Sequence, residues 1–243
     1  QSFSLRGYRF HTVKVRAANP VGLRVTALGA HHDVNRLGAF ECSDAGLNQA
    51  WEVSDRTLRA GMLDAFVDNN CREQSQWLHD GCVSALGAWA TYGDTGLWRR
   101  LLRQTGQSSE QYSDGAVNST VVAGSLWRLS DYTAVWLVSL EQYYAVTGDA
   151  DTLREVLPYV RGLAMRFIDS GLTADGLFLY PPNAISFLDW AARPWDKRPY
   201  NLTLNLLVLR GLRSAGRIAE AVGDQELAGY CRRRDREMTG AVV

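Results

Sequence analysis

The stretch DNNCREQSQWLHDG, residues 68–81, sets Asp68, Arg72, Glu73, Trp77, His79 and Asp80 close together. Three carboxylates beside an arginine and an indole are the residue types that acid–base cleavage of a glycosidic bond requires. One carboxylic acid protonates the leaving oxygen, a second carboxylate activates water or attacks the sugar, and an aromatic face lies against the ring. Arg72 can hold one carboxylate ionised while a neighbouring carboxylate raises the pKa of another, which separates acid from base roles. A solvated polar loop has the same composition, with Asp80 serving as the N-cap of the following helix, so residue types alone leave both readings open.

The stretch lies between two helical patterns. On its N-terminal side, CSDAGLNQAWEVSDRTLRAGM places Leu47, Trp51, Ser54, Leu58 and Met62 at spacings of three and four, with Ser43 or Asp44 as N-cap. After it, the chain repeats one grammar. ALGAWATYGDTGLWRRLL, WLVSLEQYYAVTGDADTLREVL and RSAGRIAEAVGDQELAGYCRR each run apolar stripe, Gly-Asp, apolar stripe. Gly93, Gly148 and Gly223 suit the left-handed residue that ends a helix, and Asp94, Asp149 and Asp224 suit the N-cap of the next. One helix and three αα-hairpins follow from this, joined by long loops at 63–79, 106–129 and 171–200. A toroid built of hairpins closes with six, so this is about half of one, with the loops converging on one rim.

Upstream of residue 41 the period changes. YRFHTVKVRA and GLRVTALGAHHDV alternate apolar and polar residues around the turn ANPVG, which predicts two or three strands. So few strands do not make an independent sheet, and we expect residues 1–40 to end a β-sandwich domain and residues 41–243 to begin an (α/α)6 domain.

Bulk properties narrow the partners. With 46% hydrophobic and 21% charged residues the chain builds a core, and with zero formal net charge it has no field for nucleic acid or an anionic membrane. No apolar run approaches the roughly 20 residues that span a bilayer. Cys42, Cys71, Cys82 and Cys231 lack zinc-site or disulfide spacing and read mainly as small buried residues; His31 and His32 read as a strand or its exit loop. No cofactor or metal is called for. Starting at Gln1 rather than Met, the chain reads as a piece of something longer, whose partner would be the remainder of its own catalytic domain. Its compartment, cytoplasmic or secreted, stays open.

FECSDAGLNQAWEVSDRTLRAGMLDAFVDNNCREQSQWLHDG resembles the entry into the catalytic domain of the six-hairpin glycosidases, specifically the α-L-rhamnosidases of glycoside hydrolase family 78. In that family a loop after the first helix reads approximately D-x-P-x-R-E-x-x-x-W-x-G-D, and Asp68, Arg72, Glu73, Trp77 and Asp80 match its D, R, E, W and D. The resemblance extends more weakly through SDYTAVWLVSLEQYYAVTGD and FLDW. It implies a mainly α fold, an inverting hydrolase for terminal α-L-rhamnose, and a carbohydrate substrate. Glu73 would be the general acid; Asp68 and Asp80 would bind hydroxyls and stabilise positive charge; Arg72 would bind the sugar or orient Glu73; Trp77 would wall the pocket. Asp189 and Trp190, together with Trp136 or Trp127, would complete it, with Trp195 a more distant candidate. The general base is expected beyond Val243, because Glu110 and Glu141 have no matching context. Two positions depart from the pattern: Asn70 stands for the proline, and His79 for a glycine that would permit a left-handed backbone or close sugar approach. A non-catalytic carbohydrate-binding toroid is the alternative outside the enzymes; an α-L-fucosidase or unsaturated-glucuronyl hydrolase is the alternative among them.

Overall fold

A computed structural model describes residues 12–16, 19, 22–121, 128–179 and 200–242. The first helix, α1 (Ala45–Gly61), starts where the sequence predicts: Asp44 caps it, its carboxylate accepting from the N–H of Gly46 and Leu47. The three hairpins follow as α2 (Leu78–Tyr92) with α3 (Gly96–Ser108), α4 (Ser130–Thr147) with α5 (Ala150–Gly162), and α7 (Leu202–Val222) with α8 (Gln225–Val242). α5 continues through a π-helical stretch, Leu163–Ile168, into a last turn, α6 (Asp169–Gly171). Gly93, Gly148 and Gly223 all take left-handed φ values of 67°, 67° and 84°, so each hairpin turns on the residue that tolerates this backbone. Asp149 and Asp224 cap α5 and α8 through the N–H of Thr152 and Leu227. Asp94 differs: α3 starts from Thr95, and Asp94 accepts only a long 3.3 Å bond from Gly96 while its carboxylate lies 3.6 Å from His32.

Two layers of helices result. α2, α4 and α7 stand side by side with α4 in the middle; α3 and α5 pack behind them and α8 lies along α7. The central position explains why α4 has no polar face: eleven of its residues are buried, as expected for a helix covered all round. Close approach is built in with glycine. A Cβ on Gly106 of α3 would stand 2.7 Å from the Tyr159 ring and 2.9 Å from that of Trp136, and one on Gly211 of α7 would meet the Ala134 backbone at 3.2 Å.

Trp136 is not on a binding surface. It is fully buried, its indole N–H donates 2.9 Å to the Leu102 carbonyl, and this corrects the expectation that it lines the pocket. A helix-spaced tryptophan on the central helix has core on every side, and a buried indole N–H needs a partner. Trp98 is held in the same way on Ser139, at 2.8 Å. Of the four cysteines only Cys82 and Cys231 are buried, burial pushing both thiols up to about 12; Cys71 is exposed.

The alternating N-terminal segments form no strand among the described residues, 12–16 and 22–43 included. A strand exists through the ladder it shares, and among the described residues no segment forms a ladder with these. Val13, Val15, Leu23 and Val25, the apolar members of the alternation, stay exposed. The segment instead runs back along the helices by isolated bonds: His32 N–H to the Met62 carbonyl at 2.6 Å, and Leu37 and Gly38 N–H to the Thr91 carbonyl at 2.9 and 2.8 Å.

Two outcomes test this frame. Trp136→Ala should cost about 3–5 kcal/mol by urea denaturation, as burial of a large side chain in a packed core demands, whereas the same change at half-exposed Trp89 should stay within about 0.5 kcal/mol. Equal effects would contradict the core assignment. Asp149 is held down to about 2 by the hydroxyl and then the N–H of Thr152, with Tyr143 adding a third donor. Because the folded value is the lower one, the stabilisation is present above the ordinary carboxylate range and is lost as pH falls from about 4 through 2. Asp149→Ala should therefore cost about 0.5–2 kcal/mol at neutral pH, and the gap between variant and parent should close on acidification to pH 2.

Candidate active site

The acidic loop begins where α1 ends and is closed by Asp68. Its N–H donates 3.0 Å to the Ser75 carbonyl, its Oδ1 accepts 2.9 Å from the Ser75 N–H, and its Oδ2 takes the Asn69 amide. Within that closure, the Asn69 carbonyl oxygen accepts from the N–H groups of Cys71 (3.1 Å), Arg72 (2.6 Å) and Glu73 (3.3 Å), a side chain standing in for the backbone of a turn. Gln74 takes a left-handed φ of 52° and returns the chain, its amide held 2.9 Å from the Asn70 carbonyl.

The chain leaves the loop as β1 (Gln76–Trp77), which pairs antiparallel with β2 (Thr120–Val121): Gln76 opposes Val121 and Trp77 opposes Thr120. Leu78, the first residue of α2, extends the contact with a 2.8 Å bond to the Ser119 carbonyl. The loops at 63–79 and 106–129 therefore meet, at the end of the layer where α2 and α4 begin. The third, 171–200, lies largely outside the described residues, and Asp189, Trp190 and Trp195 with it; so does Trp127.

Glu73 has a donor on each of its oxygens. The Arg72 guanidinium lies on Oε1, and the indole N–H of Trp77 donates to Oε2 at 2.5 Å. Its side chain is 32% exposed and that of Arg72 is 77% exposed, so a ligand can reach the group without unpacking the protein. Asp80 is not an N-cap: α2 starts at Leu78, and Asp80 falls in its first turn, at the solvent edge. Desolvation by the protein behind it, then the nearby charges of Asp68 and Glu73, raise its carboxyl above the ordinary range. That coupling places the three predicted carboxylates in one neighbourhood.

Aromatic rings complete the site. Tyr132, buried in the first turn of α4, meets Trp77 edge-on, with centroids 6.1 Å apart and an 82° interplanar angle, and meets His79 likewise at 5.8 Å and 85°. His79 is exposed in α2 and has no left-handed backbone, so glycine is not demanded there by conformation. Tyr132 and Asn69 escaped the sequence reading. Asn69 had a local signal, since an Asn pair before a charged run marks a turn. Tyr132 had none, because its closeness to Trp77 arises only from packing. Among the described residues no cluster of His, Cys, Asp and Glu could hold a metal ion, and no helix is long and apolar enough to cross a membrane.

Glu110 and Glu141, the glutamates set aside as a base for want of a matching context, are engaged elsewhere. Glu110 accepts from the Tyr159 hydroxyl at 2.7 Å. Glu141 lies between α4 and α7, bound by Ser214, Arg210 and Arg217; burial would raise its carboxyl, and these donors outweigh that and lower it.

Comparisons with known proteins bear on the family and the fold. The profile of the bacterial alpha-L-rhamnosidase six-hairpin glycosidase domain matches residues 35–242. An alpha-L-rhamnosidase of Formosa agariphila is 24% identical over 211 residues, 81% of this chain and 21% of that protein. The crystal structure of a GH78 family rhamnosidase of Bacillus sp. GL1 superposes with a TM-score of 0.79 at 26% identity, over 87% of this chain and 22% of that one. A rhamnosidase from Klebsiella oxytoca, solved with rhamnose bound, has the same fold at a TM-score of 0.69 and 23% identity, over 88% and 40%. The chain thus spans about a fifth of the curated relative it matches. With a profile match over nearly all its helical part and three hairpins in the expected order, the chain belongs to the bacterial alpha-L-rhamnosidase six-hairpin glycosidase family.

Proposed function

We propose that this chain carries the acid side of the active site of a glycoside hydrolase that releases terminal α-L-rhamnose from a glycoside or polysaccharide. The observation that carries this reading is Glu73: an accessible carboxyl, held by Arg72 and Trp77 in a loop stitched to the helical layer, in a member of this family. In the proposed reaction the Glu73 proton passes to the glycosidic oxygen as the bond from that oxygen to the anomeric carbon breaks, the bonding pair leaving with the oxygen. Water bonds to the anomeric carbon from the opposite face and gives its proton to a second carboxylate, with inversion. That base is contributed from outside the residues described. Asp80 and Asp68 face the charge that develops on the sugar, and Trp77, with Tyr132 behind it, forms the wall. Asp68 also braces the loop, and a carboxylate has lone pairs enough for both tasks. The exposed alternation of Val13, Val15, Leu23 and Val25 supports a second part of the reading, that residues 1–40 end a β-sandwich whose other strands cover them.

Glu73→Gln, introduced in the complete protein, should lower kcat for an unactivated α-L-rhamnoside by about 100-fold or more, in line with the loss of a general acid, with the unfolding midpoint unchanged. Undiminished turnover would remove the acid assignment. Proton NMR of the reaction in its first minutes should show the β-anomer of rhamnose forming first; the α-anomer would exclude inversion. A carbohydrate-binding role without catalysis predicts that rhamnose is bound and no glycoside is cleaved.

A further inference from the structure

The two donors on Glu73 differ in kind. The Arg72 side chain is 77% exposed, and a solvent-exposed ion pair of that sort imposes little geometry. Trp77 is fixed at three levels. Its backbone is in the ladder with Thr120, it immediately precedes α2, and its ring abuts the buried ring of Tyr132. Position therefore passes from the core of α4, through Tyr132, to the indole, and from the indole N–H to one oxygen of the carboxyl.

That arrangement has a chemical consequence. A carboxylic acid can carry its proton on either oxygen, and a general acid works only if the proton faces the leaving group. Both oxygens accept, Oε2 from the indole N–H and Oε1 from the exposed Arg72 guanidinium, and of the two donors only the indole is anchored firmly enough to set how the carboxyl is turned. We propose that Trp77 is a positioning residue for the reaction: its indole N–H orients the Glu73 carboxyl, and with it the acidic proton, while Tyr132 holds the indole in place. The role goes beyond that of an aromatic wall, and it rests on the reading of Glu73 as the acid.

A wall and a positioning donor predict different kinetics. Leaving groups that depart as stable anions need no proton, whereas alkoxides do, so mispositioning an acid is felt only by the second kind. Trp77→Phe keeps a ring and the ladder and deletes only the N–H. In the complete protein, kcat for methyl α-L-rhamnoside should fall about 10–100-fold, the range expected when a catalytic group is misplaced by a fraction of an ångström to an ångström, while kcat for the 2,4-dinitrophenyl rhamnoside stays within about threefold of the parent. Equal losses on both substrates, or none on either, would overturn the proposal. Tyr132→Leu, followed alongside by its thermal midpoint, supplies the same readout should the tryptophan variant not fold; it should show the same selective loss, and a loss equal on both substrates counts against the route through Tyr132. Glu73→Gln separates the two levels. If it spares the dinitrophenyl substrate and Trp77→Phe shows no selectivity, only the positioning role fails; if Glu73→Gln itself shows no selectivity, the acid assignment fails and the proposal with it.

Discussion

Four residues of antiparallel ladder, Gln76–Trp77 against Thr120–Val121, tie a polar loop to a helical protein, and the site depends on that tie. The loop from Asp68 to Ser75 buries no large apolar side chain that could anchor it, and Asp68 closes it on Ser75. The ladder supplies the anchor, but it runs through the interior, where each backbone polar group needs a partner. This explains a run of buried polar residues that would otherwise be costly. Asn118 N–H donates to the Ser108 hydroxyl at 2.9 Å, the Ser119 hydroxyl accepts from the Leu129 N–H at 2.8 Å, and the Gln76 amide reaches Gln104 at 3.1 Å. The rim is thus a hydrogen-bonded layer laid over an apolar core.

Environment sorts the acids of this chain into two groups. Glu141, Asp149 and Asp224 connect helices or cap them, and each is held below the ordinary range. For Glu141 and Asp224 burial works the other way and is outweighed by donors, Arg210, Arg217 and Ser214 in one case, the Leu227 N–H and Arg161 in the other. Asp80 moves upward, through burial and the company of Asp68 and Glu73. Carboxylates that stabilise the fold are matched to donors, whereas Asp68, Glu73 and Asp80 act on one another through their charge, an arrangement that fits the role proposed for them.

Much of this was legible in the residues. The Gly-Asp turns are local: only glycine adopts the left-handed backbone at no cost, and Asp149 and Asp224 cap the helices that follow. The loop motif was legible because Asp68, Arg72, Glu73, Trp77 and Asp80 stand in a fixed order within one short segment. The expected strands before residue 41 did not appear among the described residues. Alternation records which faces of a segment are apolar, but a strand forms only where a partner offers its backbone, and that information is not in the segment.

Trp77 and Trp136 show where the division falls. Both are tryptophans in matching segments, and sequence assigned both to the pocket. Tertiary structure separated them: Trp136 points from the central helix into the core and satisfies its N–H on Leu102, while Trp77 stands at the rim and satisfies its N–H on Glu73. The residues alone determined the helices, their turns and the acidic loop, since these follow from backbone conformation and periods of a few residues. Only packing decided which indole is buried in the core and which stands at the rim beside Glu73, because that depends on residues such as Tyr132 that are distant in the chain and adjacent in space.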